Sequence, residues 1–413
     1  MSRRIWGLIG LSAFTRFAGG ILMGTAFAVY VESAGSPLLA GVLAACYYAG
    51  LMVFSPVWGA LADVTGRRRA VMVLTALLSA VVVLPLLVVQ SVWAAIGVRA
   101  LFAVFFAGYA PVVLAIVSHH GGATGRGRSV GLYNSARSGG FASGQVGAGV
   151  LVGLVAPAGT AVVLAVAGLS ALCALAAAFI EDPTPTSPST SWSEVLTEIR
   201  SRLFPAPDER GHLDTNGLRW LYVALAARNL CVLGVMALMG PYLLRNVEVS
   251  GAMMGSLLAV NHGSQVAFMF LLGVVADRLG RKPLIVGGMA GSAAFAVVAA
   301  VMTYPDGVGR ILVAGGAFLL LGFSFSAMTT GAVAFIGDVA PTGRESELLG
   351  LRGTAKGLGG VFGPPLVGLA ATAYGYETAF AAASVVACFA VLVVTVGLVE
   401  SRPAAASGVP ADD

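Results

Sequence analysis

Six basic residues lie inside stretches that are otherwise almost wholly apolar: Arg16, Arg99, Arg137, Arg228, Arg352 and Lys356. In hydrocarbon a buried cation costs ~2.5–3.5 kcal/mol even on the most lenient scale. Each therefore needs an anion, a carbonyl to cap, or a route to water. No acidic residue falls near the middle of any such stretch. Arg16 and Arg228 each stand about halfway along theirs. Two guanidinium groups facing one cavity would make a planar, charge-assisted site for a carboxylate or phosphate. The competing reading is that they cap carbonyls, snorkel or pair with other side chains, and both readings stay open. Asn261, His262 and Gln265 form a second polar group. A histidine titrates near neutral pH and the amides can hydrogen-bond a solute, although such clusters also stitch helices together. Glu32, at the outer end of its stretch, is a further candidate for binding or coupling. Arg137, Arg352 and Lys356 lie nearer the stretch ends and read first as groups that reach water or pair across a gate.

These residues need elements that hold them in a bilayer, and composition supplies them. Charged residues make up 10% of the chain and hydrophobic ones 58%, with a mean hydropathy of +0.90. Soluble domains carry about a quarter charged residues, so a water-soluble fold is excluded. A spanning helix takes roughly 20 apolar residues. Successive candidates fall at 5–31, 37–61, 70–89, 92–117, 128–154, 160–180, 218–244, 251–275, 283–303, 309–337, 346–373 and 377–399, twelve in all. The first is longer than the apolar core of a secretory signal and shows no clear cleavage site, so it reads as a span. Cys46, Cys173, Cys231 and Cys388 fall within spans at no metal-like spacing and read as small packing residues. Of 24 Lys and Arg, 16 fall in segments facing one side, and only Arg245 and Arg310 in the opposite loops. The positive-inside rule then puts both termini in the cytoplasm, as an even number of spans requires. The net charge of +5 thus follows the membrane and is no nucleic-acid footprint. The absence of a Ser-His-Asp constellation, metal cluster or nucleotide cradle in the sequence points away from an enzyme, and no cofactor is expected.

The spans are not twelve independent elements. Gly59-Ala60-Leu61-Ala62-Asp63-Val64-Thr65-Gly66-Arg67-Arg68 and Gly273-Val274-Val275-Ala276-Asp277-Arg278-Leu279-Gly280-Arg281-Lys282 both read G-x-x-x-D-x-x-G-R-[RK], 214 residues apart. Arg16 and Tyr30 have the same separation as Arg228 and Tyr242. Gly131, Ala136-Arg137, Gly140, Gly144 and Gly149 match Gly350, Ala355-Lys356, Gly359, Gly363 and Gly368 at a constant offset of 219. The chain is a duplicated membrane unit with repeats related about the membrane normal. Gly59 and Gly273 suit close helix approach, Gly66 and Gly280 a tight turn, and Asp63 a basic partner or a helix N-terminus.

The duplicated motif resembles the loops between helices 2 and 3 and between helices 8 and 9 of the major facilitator superfamily. The resemblance implies an all-α membrane protein with twelve transmembrane helices in two pseudo-symmetric six-helix bundles. It also implies that Asp63 latches its loop to helix 11, that Asp277 acts likewise near helix 5, and that spans 1 and 7 border the central cavity. Arg99 occupies the position of the family's helix-4 arginine, implicated in proton coupling, but the following glutamine and glycine are here Phe102 and Ala103. Gly359-Gly360-Val361-Phe362-Gly363-Pro364 is similar to the antiporter motif of helix 5, yet it lies in span 11. In the true counterpart, Gln145 replaces the proline after Gly140 and Gly144. Glycines four apart allow close crossing and Pro364 a kink, as a hinge or sliding contact between halves needs.

The expected organisation is an amino-terminal bundle over 1–181, a cytoplasmic linker over 182–216, a carboxyl-terminal bundle over 217–400 and a disordered tail over 401–413. Within the linker, Trp192, Val195, Leu196, Ile199, Leu203 and Phe204 recur at helical spacing and suggest a short interfacial helix. The expected function is secondary active transport of a small organic solute by alternating access, as proton-coupled efflux across the plasma membrane by a monomer. An organic-anion or organic-phosphate carrier using Arg16 and Arg228 is the alternative. A receptor or scaffold of the same fold, without transport, is the rival of another class.

Overall fold

The computed structural model describes residues 3–155, 159–182, 191–203, 213–341 and 345–401. Thirteen α-helices account for most of the described chain: α1 Arg3–Ala34, α2 Pro37–Thr65, α3 Arg68–Val82, α4 Val92–Phe106, α5 Tyr109–Leu154, α6 Thr160–Ala178 and α7 Trp192–Leu203, then α8 Leu218–Arg245, α9 Gly251–Leu279, α10 Arg281–Val301, α11 Val308–Val339, α12 Glu345–Tyr374 and α13 Tyr376–Gly397. Polar residues between the apolar runs punctuate them. Ser36 takes the Leu39 amide on its side chain, with Pro37 at the first helical position of α2, and Ser91 caps α4 through Ala94; both satisfy amides that a helix start leaves free. At the other end of α2, Gly66 adopts φ +64°, a left-handed conformation that costs glycine little.

The helices form two six-helix bundles, α1–α6 and α8–α13, here the amino and carboxyl halves. Their outer faces expose large apolar side chains such as Leu175, Phe270, Leu312 and Val396, as a surface bathed in lipid does. Among the described residues, ten helical stretches are long and apolar enough to cross a membrane. The spans expected at 128–154 and 346–373 are helical but fall outside those ten. Glycines and Arg137, Arg352 and Lys356 dilute their apolar content, and both stretches face the other half instead of lipid alone.

Two boundaries differ from expectation. Span 3 ends early, passing into a 3-10 turn at Leu84–Leu87 around Pro85. Span 4 is broken: α4 stops at Phe106 and α5 starts at Tyr109. A side chain at Gly108 would meet Thr75 and the Trp58 ring, so the chain bends where it passes close to α2 and α3. Spans 4 and 5 then share α5. Phe105 is level with Arg16 and Tyr109 with Ser12 along α1, whereas Gly140 is level with Phe14 and Gly144 with Ala18. The course along α1 therefore reverses within α5.

The halves meet along two antiparallel seams. In one, Gly41 abuts the Pro364 carbonyl, Gly360 the Tyr48 ring and Gly368 the Pro37 backbone, joining α2 to α12. In the other, Gly149 abuts Gly251 and Gly255, joining α5 to α9. Glycine removes the side chain where backbone touches backbone, which is how helices approach closely without a hydrophobic driving force. Both α2 and α9 start at one end of the molecule and finish at the other, so the two G-x-x-x-D-x-x-G loops lie at the same end, called here the motif end.

Of the expected linker helix, α7 is present with Val195 buried and Trp192 and Leu196 exposed. Phe204, the Pro183–Pro188 run and the tail beyond Ser401 lie outside the described residues. All four cysteines are free.

Candidate functional site: a cationic cavity between the halves

A cavity of about 1580 Å³ lies between the two halves. It runs from Thr25 and Gly240 down to Gly59, Arg202 and Leu213 at the motif end. At the far end the halves are tied together. Glu32 is buried, and its Oε1 accepts from Arg245 Nη1 and from the Tyr376 hydroxyl, each at 2.8 Å. The Leu38 amide also donates to Thr372 Oγ1 across the α2–α12 seam at 3.1 Å. Glu32 is absent from the cavity wall and belongs to this far-end closure.

Among the described residues, the charged ones on the wall are Arg99, Arg137, Arg202, Arg228 and Lys356, with no Asp or Glu. Arg202 is paired, to Asp63 at 3.0 Å and Glu198 at 2.8 Å. Arg99 donates to the Gly20 carbonyl at 3.1 Å and lies 4.0 Å from the Tyr47 ring centroid. A methyl group at Gly24 would stand 2.9 Å from Arg99 Nη2, so that glycine leaves the guanidinium its room. The other three are poorly compensated. Arg228 gives Nε to Ser292 Oγ at 3.0 Å and Nη1 to Asn229 Oδ1 at 3.2 Å, while its buried Nη2 has no partner. Arg137 stands over the Phe17 and Phe141 rings, at 5.4 and 5.3 Å, with no carboxylate partner among the described residues. Lys356 likewise has none, and lies within electrostatic reach of Arg137, Arg228 and Arg352. Arg352 is off the wall and donates to Thr329 Oγ1 at 3.0 Å.

Arg16 is elsewhere. It lies behind Phe106, 4.5 Å from that ring centroid, and Nη2 donates to the Phe105 carbonyl at 2.9 Å. That carbonyl lies at the α4–α5 break and also accepts from the Gly108 amide at 3.2 Å, while Arg16 Nε and Nη1 are buried without a partner among the described residues. Arg16 thus caps a carbonyl. The expected sharing of one cavity by Arg16 and Arg228 is not found; the wall that bears Arg228 also bears Arg137 and Lys356. Those last two match each other across the repeat offset of 219, the signal that would have found them.

The polar group of α9 does reach the cavity: Asn261, His262 and Gln265 all line it. Gln265 Nε2 donates to Asn261 Oδ1 at 3.1 Å. His262 stacks on Phe141 of the other half, with centroids 4.9 Å apart and planes inclined by 25°.

In the first motif loop, Asp63 accepts from Arg68 at 2.8 Å and from Arg202 of α7. The latch is thus to the linker helix and not to span 11 in this state. Gly59 fits under Arg202, and Arg67 is exposed. In the second loop, Gly280 has φ +93° and Arg281 pairs with Asp338 at 2.9 Å. The expected close approach at Gly273 is not found; open space surrounds it. The side chain of Asp277 lies outside the described residues. Sequence reasoning missed a feature common to both loops. Glu400 accepts from the amides of Arg281 and Lys282, at 2.9 and 3.0 Å, and Asp182 accepts from the amide of Arg69 at 2.9 Å. Each half ends in an acid that caps its own third helix. An acidic residue just past the sixth span of each repeat was the visible signal.

The glycines of spans 5 and 11 also differ from expectation. Gly140 and Gly144 pack on α1, and Gly359 and Gly363 on α8, each within its own half. The contacts between halves fall instead to Gly41, Gly149, Gly251, Gly255, Gly360 and Gly368. Pro364 takes part through its carbonyl, against Gly41.

The family model for the Major Facilitator Superfamily matches residues 8–244 and, again, 221–413. This chain belongs to that superfamily. As such it is an integral membrane transporter, with the two matches echoing its duplication. A putative metabolite transport protein of Haemophilus influenzae (strain ATCC 51907 / DSM 11121 / KW20 / Rd) is 29% identical over 167 residues, which are 40% of this chain and 39% of that one. The chain thus aligns with well under half of that relative's length. Among solved structures, the nucleoside transporter NupG is 12% identical with a TM-score of 0.76, covering 95% of this chain and 98% of that one. A bacterial homologue of the human lysosomal transporter Spinster, inward-facing and occupied, is 14% identical with a TM-score of 0.76, covering 95% and 96%. At these identities the likeness concerns the fold.

Proposed function

We propose that this transporter carries a small organic anion through the cavity between its halves, by alternating access. The single observation behind this is a wall bearing Arg137, Arg228 and Lys356 without one carboxylate among the described residues. Cations gathered in a partly dehydrated cleft repel one another, and the Coulomb energy grows as the dielectric constant falls. An anionic solute relieves that repulsion and supplies an acceptor for Arg228 Nη2. Because Arg137 belongs to the amino half and Arg228 and Lys356 to the carboxyl half, the bound anion touches both moving bodies.

The far-end ties at Glu32 and the cavity's reach to the motif end support a state open on the motif side. The excess of basic residues there supports assigning that side to the cytoplasm, with both termini, in the plasma membrane. Export in exchange for protons is the mode favoured by the Gly359–Pro364 run. The protein acts as a monomeric carrier and not as an enzyme.

Counterflow in proteoliposomes preloaded with anionic, neutral or cationic organic solutes tests this reading. Exchange confined to anions and reduced at least tenfold in Lys356→Gln is the expected result. Equal exchange of cations, or an unaffected Lys356→Gln, would sink it.

A further inference from the structure

We infer that the transported anion carries a flat aromatic or heteroaromatic ring directly beside its acidic group; this rests on the anion reading above. The observation is that both poorly compensated arginines of the cavity, Arg137 and Arg228, have an aromatic wall residue as neighbour. Arg137 stands 5.3 Å from the Phe141 centroid, and Phe141 is itself stacked on His262. Arg228 stands 5.8 Å from the Phe325 centroid. Lys356 lies one helical turn before Gly360, which the Tyr48 ring abuts. Phe141, His262, Phe325 and Tyr48 all line the cavity.

This arrangement suits one kind of ligand. The carboxylate or phosphate sits among the cations, while a ring fixed next to it reaches an aromatic face by offset or edge contact. An aliphatic acid would fill the same charge site and leave those faces without a partner of matching shape. Asn261 and Gln265 bond to each other through one donor and one acceptor, leaving Asn261 Nδ2 and Gln265 Oε1 for heteroatoms on the ring. The volume of about 1580 Å³ exceeds the roughly 300–1,000 Å³ of most small-molecule pockets, so a bicyclic solute fits without rearrangement.

The test uses the full-length protein in proteoliposomes and three matched probes: phthalate, cyclohexane-1,2-dicarboxylate and succinate. Each competes in counterflow and in a thermal-shift titration. Phthalate is expected to act at about three- to tenfold lower concentration than its saturated-ring twin, which carries the same charges. Phe325→Leu, and separately Phe141→Leu, should shrink that ratio toward one while succinate still competes. A ratio of one in the wild-type protein, with all three dianions competing, overturns the aromatic inference and leaves the anion reading intact. Competition by none of the three, nor by any other anion, removes the anion reading itself. A phthalate preference undiminished in both leucine variants also overturns the inference, because the faces named here would then not be its source.

Discussion

Arg16 and Arg228 occupy equivalent places in the two repeats, yet they do different jobs. Arg16 lies behind the cavity wall, capping the Phe105 carbonyl where α4 breaks. Arg228 lines the cavity with one nitrogen unpartnered. Duplication delivered the same side chain to both halves, and the break in α4 brings the Phe105 carbonyl to the amino-half copy, whereas the carboxyl-half copy meets Ser292, Asn229 and the open cavity. Symmetry of sequence therefore identifies equivalent positions without fixing equivalent roles. The pair whose members both face the cavity, Arg137 and Lys356, is a different one.

The largest expected effect separates the two arginines directly. Arg228→Gln should lower anion counterflow more than tenfold with little change in Tm. Arg16→Gln should lower Tm, since it removes a charge-assisted hydrogen bond and the contact with the Phe106 ring, while leaving the half-saturation concentration of the surviving protein unchanged. The reverse pattern would break the comparison. Next, Lys356→Gln and Arg137→Gln should each raise half-saturation about tenfold, as loss of a charge-assisted contact does. Lys356→Arg should recover most of it, and a change in maximal rate alone would argue against a binding role. A third comparison sets seam against surface. Gly149→Ala and Gly41→Ala place a methyl group against backbone of the other half, whereas Gly263→Ala meets nothing within 4 Å. The first two should slow transport and lower Tm; the last should do neither. The smallest effect concerns α7. Arg202→Ala removes a surface ion pair worth ~0–1 kcal/mol, so limited proteolysis between α6 and α8 should quicken by only a fewfold, with transport preserved.

Much of this fold was legible in the chain. Apolar runs of spanning length, the twice-written G-x-x-x-D-x-x-G loop and the offset of 219 require two bundles, because each is a periodic or repeated signal. The break at Gly108 was not legible, since one glycine among many carries no mark of the Thr75 and Trp58 contacts that bend the chain there. For the same reason the sequence could not say that Arg16 had a carbonyl waiting. The polar trio of Asn261, His262 and Gln265 was visible as a cluster, but the partner of His262 was not, because Phe141 reaches it from the other half. Nor could spacing tell glycines that pack within a half from those at a seam. Gly359 and Gly360 are adjacent and serve opposite purposes.

Asp182 and Glu400 carry a consequence for movement. By returning to the turn that opens its third helix, each half fastens itself shut independently of the other. Force passes from one body to the other through two narrow tracks of glycine, and the wear points of this machine should be sought there.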